Sequence, residues 1–305
     1  MEVKGRRVHV QEQGQGRVTV VFEAGIAASS LSWGLVQPRV AEFARTLSYD
    51  RAGFGWSDAE ASHATALDAA TDLANLLEVV QGTGPVVLVG HSFGGLIARI
   101  FQQQWPERVA GLVLVDPVVR SEWRNLPKER AAMLGRGVML SRRGATLARL
   151  GIVSLALKLL TSGNQRIPKL LAKVSAGNGA GVTDRLVGEV RKMPRESWPA
   201  IAQHWSQAQS FLAMAKNLEH LPVSATQLNE DAGLGSLPLR IVSAGRNTGG
   251  VANAEHQRDA ALSSRGVCVV SQNSGHWVQL DDPDSVVNAI RDVVALADTV
   301  QLRAS

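Results

Sequence analysis

A serine bracketed by glycines, Gly90-His91-Ser92-Phe93-Gly94, follows the apolar run Val86-Val87-Leu88-Val89 and precedes a helical pattern that reaches Gln104. The order strand, serine, helix predicts a sharp turn that lifts the Ser92 hydroxyl above a sheet. Residues as small as Gly90 and Gly94 are what let a chain reverse so tightly. The chemistry this suggests is nucleophilic attack on an acyl carbon. Serine is a weak nucleophile until an imidazole takes its proton, and the imidazole needs a carboxylate to fix its tautomer and stabilise its cation. Ser274-Gly275-His276-Trp277 supplies a histidine on the loop after the strand-like run Val267 to Val270, which makes His276 the candidate general base. His91 lies inside the serine motif, whereas His9, His63, His204, His220 and His256 have no motif around them.

The elements that must position these residues follow from periodicity. Val18 to Phe22, Thr46 to Tyr49, Val86 to Val89 and Gly111 to Val115 read as strands, and several end at Gly, Asp or Ser. Between two of them, Ala66 to Val80 sets Leu67, Ala70, Leu73, Ala74, Leu76 and Leu77 on one helical face opposite Asp68, Asp72 and Glu78. Alternation of short strands with helices predicts βαβ units and a mostly parallel sheet, whose site lies at the carboxyl ends of the strands. From Val118 to about Leu237 the rhythm becomes helical and is broken by Gly135, Gly137, Gly163, Pro168, Pro194, Pro199 and Pro222. Strand-like runs return at Leu239 to Ala244 and Val267 to Val270, before an amphipathic helix near Asp284 to Leu296. The expected organisation is therefore a core in two parts, 1–117 and 237–305, interrupted by a helical cap over 118–236.

Composition narrows the partners. Hydrophobic residues make up 45% and charged residues 19% of 305 positions, which predicts a folded, soluble protein. The net charge of +5 is uneven: Val118 to Ser236 holds 17 Lys and Arg against 8 Asp and Glu, so the insertion carries +9 and the rest of the chain −4. No aromatics interleave those cations and no zinc-finger, RNP or helix-turn-helix pattern occurs, so nucleic acid is not an expected partner. Leu147 to Leu160 is apolar but too short, and too interrupted by Arg149 and Lys158, to span a bilayer. There is no H-E-x-x-H pattern, and the single cysteine, Cys268, sits in a run that reads as a buried strand; neither a metal nor another cofactor is expected. Met1 to Val10 lacks the continuous apolar stretch of a secretory signal, and the expected location is the cytoplasm.

The chain resembles the α/β-hydrolase superfamily over about Val3 to Asp116 and Leu239 to Leu296, through Gly90-His91-Ser92-Phe93-Gly94-Gly95 and Tyr49-Asp50-Arg51-Ala52-Gly53-Phe54-Gly55. The resemblance implies the α/β-hydrolase fold with an inserted cap, and an oxyanion hole made by the backbone N–H groups of Phe93 and of Ile26 in Glu23-Ala24-Gly25-Ile26. Many members have His-Gly where this chain has Ala24-Gly25. Asp50 and Arg51 read as a structural ion pair. The family commonly places its acid after the strand Leu239 to Ala244, but Gly245 to Gly250 holds no carboxylate. The alternative position, one strand earlier, falls on Asp116, with Glu255 and Asp231 as other candidates. Relatives that open epoxides or displace halide use an aspartate nucleophile, and epoxide-opening members add cap tyrosines; here the elbow holds Ser92 and the only tyrosine is Tyr49. The resemblance thus implies hydrolysis of a carboxylic ester, and the candidate pocket residues point to an apolar small-molecule acyl substrate. Cleavage of another acyl bond (lactone, amide or carbon–carbon), acyl transfer or non-catalytic ligand binding are the rivals. Trp33 and His91 are candidate pocket residues, together with Leu147, Leu150, Val153, Trp205 and Phe211 from the insertion.

Overall fold

The computed structural model describes residues 1–59, 64–82, 84–161, 192–229, 231–246 and 248–304. Two short strands, β1 (Glu2–Val3) and β2 (Arg6–Arg7), pair as a small ribbon. Seven more form the central sheet: β3 (Val10–Gln13), β4 (Thr19–Glu23), β5 (Arg45–Tyr49), β6 (Val86–His91), β7 (Val109–Val115), β8 (Leu239–Ala244) and β9 (Gly266–Ser271). Their order is β3-β5-β4-β6-β7-β8-β9, antiparallel only between β3 and β5. This is the α/β-hydrolase fold with its mostly parallel sheet, as the sequence reading required.

Strand alternation divides the core into two layers. Val21, Leu47, Leu88, Leu112, Leu114 and Ile241 project to one face, where they meet the helices α1 (Ala66–Val80) and α2 (Phe93–Gln104). Val20, Phe22, Val87, Val89, Val113, Val115 and Val242 project to the other, against the closing helix at Pro283–Ala304. Each such side chain, fully buried, contributes about 1.5–3 kcal/mol. Helix α1 occupies the range its periodicity predicts, because Thr65 and Asp68 form a reciprocal capping box at its start.

The run around Cys268 differs from expectation. It forms β9, the edge of the sheet, so Val267 and Val269 are exposed and Cys268 is half-buried. An apolar run shows that a strand can be buried but not whether a neighbour arrives to cover both faces.

Between β7 and β8 the described residues contribute no strand. They form α3 (Ser121–Arg124), α4 (Lys128–Arg149), α5 (Ile152–Thr161), α6 (Trp198–Trp205), α7 (Ala208–Glu219) and α8 (Leu221–Thr226). The sequence breaks at Gly163 and Pro168 lie outside the described residues. Helices α4 and α7 pack closely: a β-carbon at Gly144 would lie 2.5 Å from the Phe211 ring. After β8 come α9 (Ala254–Ala261), α10 (Val278–Asp281) and α11 (Pro283–Ala304). No helix among the described residues is long and apolar enough to cross a membrane.

Candidate active site

Ser92 stands between β6 and α2 with φ 54° and ψ −117°. A non-glycine residue in that region stores about 1–3 kcal/mol of strain, which the surroundings must hold in place. They do so from three sides. The Ser92 N–H donates to the Val115 carbonyl at 3.0 Å, and its carbonyl accepts from Gly95 at 3.0 Å and Val118 at 3.3 Å. A β-carbon at Gly90 would lie 2.4 Å from the Gly94 carbonyl oxygen, and one at Gly94 would lie 2.3 Å from that of Glu23. Both glycines are thus required by backbone contact, as their spacing suggested.

The structure brings His276 and Asp116 to this serine. Ser92 Oγ lies 3.0 Å from His276 Nε2, and His276 Nδ1 donates to Asp116 Oδ2 at 2.7 Å. Asp116 ends β7 at a positive φ of 40° and accepts the Ala244 N–H on its other oxygen at 3.0 Å. Burial pushes the Asp116 carboxyl upward, but the bond from His276, its charge and the Ala244 N–H outweigh this, and the group lies below its ordinary value. The carboxylate therefore stays ionised while it orients the imidazole. Half of the His276 side chain is exposed, so the ring can be reached from outside while its Nδ1 edge is held.

The other acids work elsewhere. Glu255 is buried and accepts the N–H groups of Arg120 and Ser121, and Asp231 is exposed. The loop carrying His276 is tied down by Asp281, which accepts the Gly275 N–H at 2.7 Å and pairs with Lys192 and Arg246. Nothing around Asp281 in the sequence marks that role.

Four expectations need correction. Trp33 is fully buried against the Phe22 ring at 5.0 Å, part of the core beneath the sheet rather than a pocket wall. His91 is also buried. Its Nε2–H donates to the His276 carbonyl at 2.8 Å and its ring lies 4.8 Å from that of His276, so it braces the loop from behind. Burial foremost, then the nearby His276, lowers His91 to about 3, and it remains neutral. Leu150 is 68% exposed, not enclosed in an apolar wall. Asp50 and Arg51 do not pair with each other: Asp50 accepts the Ser30 and Trp56 N–H groups, while Arg51 pairs with the buried Glu23 at 2.5 Å. Neighbours in sequence at a strand end point apart, and the partner comes from the adjacent strand.

Ile26 sits in the turn after β4, and its N–H has no protein acceptor among the described residues. Phe93 opens α2, where the first N–H groups lie outside the intrahelical ladder. An apolar cluster lies alongside. It joins Trp277 and Leu280 near His276 to Leu31, Leu35, Met193, Trp198, Ile201 and Trp205. Of these the sequence marked only Trp205 as a pocket candidate, because a cluster built from three separate segments has no local pattern. A separate cavity of about 40 Å³, lined among others by Tyr49, Asp50, Arg51 and Asn217, contains none of Ser92, His276 and Asp116.

A strained serine at the head of a helix, an imidazole in reach of its hydroxyl and a carboxylate behind the imidazole define a hydrolase-type site. The chain belongs to the alpha/beta hydrolase family, whose model matches residues 20–289. It is 48% identical over 62 residues to a lipase of Mycobacterium tuberculosis, an alignment covering 20% of this chain and 23% of that one. It is 33% identical over 113 residues to a 2-hydroxy-6-oxononadienedioate/2-hydroxy-6-oxononatrienedioate hydrolase of Klebsiella pneumoniae, covering 36% and 39%. The first curated relatives are matched over only 23% to 56% of their lengths. A thermophilic esterase from Thermogutta terrifontis superposes with a TM-score of 0.64 over 96% of this chain and 94% of that one, at 21% identity, which speaks to the fold alone.

Proposed function

We propose that the protein is a serine hydrolase that cleaves apolar small-molecule carboxylic esters through an acyl-enzyme on Ser92. The observation that carries this reading is the relay Ser92 Oγ to His276 Nε2 at 3.0 Å and His276 Nδ1 to Asp116 at 2.7 Å, set at a strained elbow. In this reading Ser92 Oγ attacks the acyl carbon as its proton passes to His276 Nε2, and Asp116 stabilises the imidazolium. The carbonyl oxygen becomes an oxyanion facing the Ile26 and Phe93 N–H groups, where no reorganisation of solvent is needed. Collapse expels the alcohol, which takes the proton from His276. A water then gives its proton to His276 and attacks the acyl-enzyme, and the acid leaves as Ser92 recovers its proton. The inserted helices act as the cap, and the apolar cluster around Trp198, Trp205 and Trp277 supports an apolar substrate.

Chromogenic acyl esters from acetate to long chain, assayed with wild type beside Ser92→Ala, test the reading. Turnover abolished in the variant is expected. Equal rates in both proteins refute the site, and no wild-type turnover at any length shifts weight to another acyl bond or to ligand binding. The similarity to a 2-hydroxy-6-oxononadienedioate/2-hydroxy-6-oxononatrienedioate hydrolase makes 2-hydroxy-6-oxononadienedioate the next substrate to assay.

A further inference from the structure

The oxyanion donors have a scaffold of their own. Arg51, from the chain just after β5, reaches under the end of β4, where its Nη1 donates to Glu23 and to the Ala24 carbonyl and its Nη2 donates to the Gly25 carbonyl at 2.6 Å. Glu23 is buried and accepts a second bond from the Tyr49 hydroxyl. Burial first, and the Glu23 charge next, push Tyr49 well above its ordinary value, so it stays a neutral donor. The guanidinium is therefore held at one side by a carboxylate while it grips two successive carbonyls on the other.

A peptide unit is planar and trans, so its carbonyl and its N–H point in opposite directions. The unit that holds the Gly25 carbonyl also holds the Ile26 N–H. Fixing that carbonyl on Arg51 fixes the direction of the Ile26 donor, away from Arg51. Gly25 itself lies against the elbow: a β-carbon there would fall 2.9 Å from His91 Nδ1 and 3.6 Å from Ser92 Cβ. The guanidinium carbon also sits 5.8 Å from the ring of Phe93, the residue that carries the second donor. The same buried cation thus grips the peptide of one donor and lies near the side chain of the other.

We infer that Arg51, anchored by Glu23, is the positioning residue of the oxyanion hole: it sets the Gly25–Ile26 peptide so that the Ile26 N–H faces the acyl oxygen at Ser92. This rests on the serine-hydrolase reading above. Arg51 is buried and acts through the peptide it holds. Its effect should consequently fall on the charged tetrahedral state and not on ground-state binding, since only the former places a full negative charge on the oxygen that faces that N–H.

The experiment measures kcat, KM and inhibition by phenylboronic acid, which forms a tetrahedral adduct on a reactive serine. The proteins are wild type, Ser92→Ala, Arg51→Lys, Arg51→Met and the double variant Glu23→Gln/Arg51→Met, with circular dichroism to confirm folding. The double variant removes both charges together, because Glu23 alone would be left buried without its cation. A loss of about 10²-fold in kcat is expected for Arg51→Met or the double variant, comparable to deleting one oxyanion donor. KM should stay within about threefold, and the phenylboronic acid inhibition constant should rise by the same factor as kcat falls. Arg51→Lys, whose single ammonium cannot fork across two carbonyls, should fall in between, at about tenfold. Native kcat in folded Arg51 variants, a loss confined to KM, or unchanged inhibition beside a lowered kcat would each overturn the inference. Ser92→Ala separates the two levels: full activity there sinks the serine reading, and with it this one. A dead Ser92→Ala beside a fully active Arg51→Met sinks the positioning role alone.

Discussion

The sheet core and the inserted helices solve the packing problem differently. At the elbow of the core the tightest approaches are backbone against backbone: Gly94 lies where a β-carbon would meet the Glu23 and Ala24 carbonyl oxygens at 2.3 and 2.7 Å. In the insertion the comparable approach is backbone against side chain, Gly144 on the Phe211 ring at 2.5 Å. Strand carbonyls locked in a ladder cannot retreat, whereas a phenyl ring can rotate into another well. The core is thus the part able to hold a strained serine in place, and the insertion is the part that can vary the space around it.

The largest effect that would sharpen this contrast is chemical. Asp116→Asn removes the core carboxylate behind His276 but keeps the bond from Ala244, so kcat is expected to fall about 10²- to 10⁴-fold with little change in melting temperature. Near-native turnover would show that Asp116 is not the acid. Next comes the pair of glycines. Gly94→Ala should cost about 1–3 kcal/mol in urea unfolding and lower kcat at least tenfold by shifting the elbow. Gly144→Ala should be nearly neutral, because the gain in helix propensity of about 1 kcal/mol offsets the displacement of Phe211. Equal penalties at the two positions would break the comparison.

The seam between the regions is the site of the smallest expected effect. His204, on α6, is 2% exposed, and its Nδ1 accepts the Gly55 N–H at 2.8 Å. Burial holds it at about 4, against an opposing pull from Asp50. The unfolded chain takes up this proton near the ordinary value of 6.5, before the folded one does. Stability should therefore fall as pH drops from about 6.5 to about 4 and level off below, by at most about 3 kcal/mol from this residue. Thermal melts of His204→Gln across that window should show a shallower slope, with a remainder from His91, which is held at about 3. An unchanged slope would mean that the seam does not sense this proton.

Much of this was legible beforehand, for identifiable reasons. Ala66–Val80 and Leu239–Ala244 have the bounds the sequence predicts, because a capping box and an unbroken apolar run are local signals. The helix Ala254–Ala261 and the short strand Val10–Gln13 escaped the reading, since both are mostly polar and owe their form to the sheet beside them. Asp116 could be named only as one of three acids. What singles it out is the distance from β7 to the His276 loop, a contact spanning 160 residues.

By itself the sequence marked the candidate nucleophile motif, the candidate base and the alternation of strands and helices that sets both at the carboxyl ends of a mostly parallel sheet, since glycine spacing and apolar periodicity are written residue by residue. The tertiary structure alone decided which carboxylate faces His276, that Arg51 pairs with Glu23 and not with Asp50, and that Trp33 and His91 are packed behind the site. Partners separated by tens of residues are chosen by which strands become neighbours, and that choice is made by burial summed over the whole sheet rather than by any one segment.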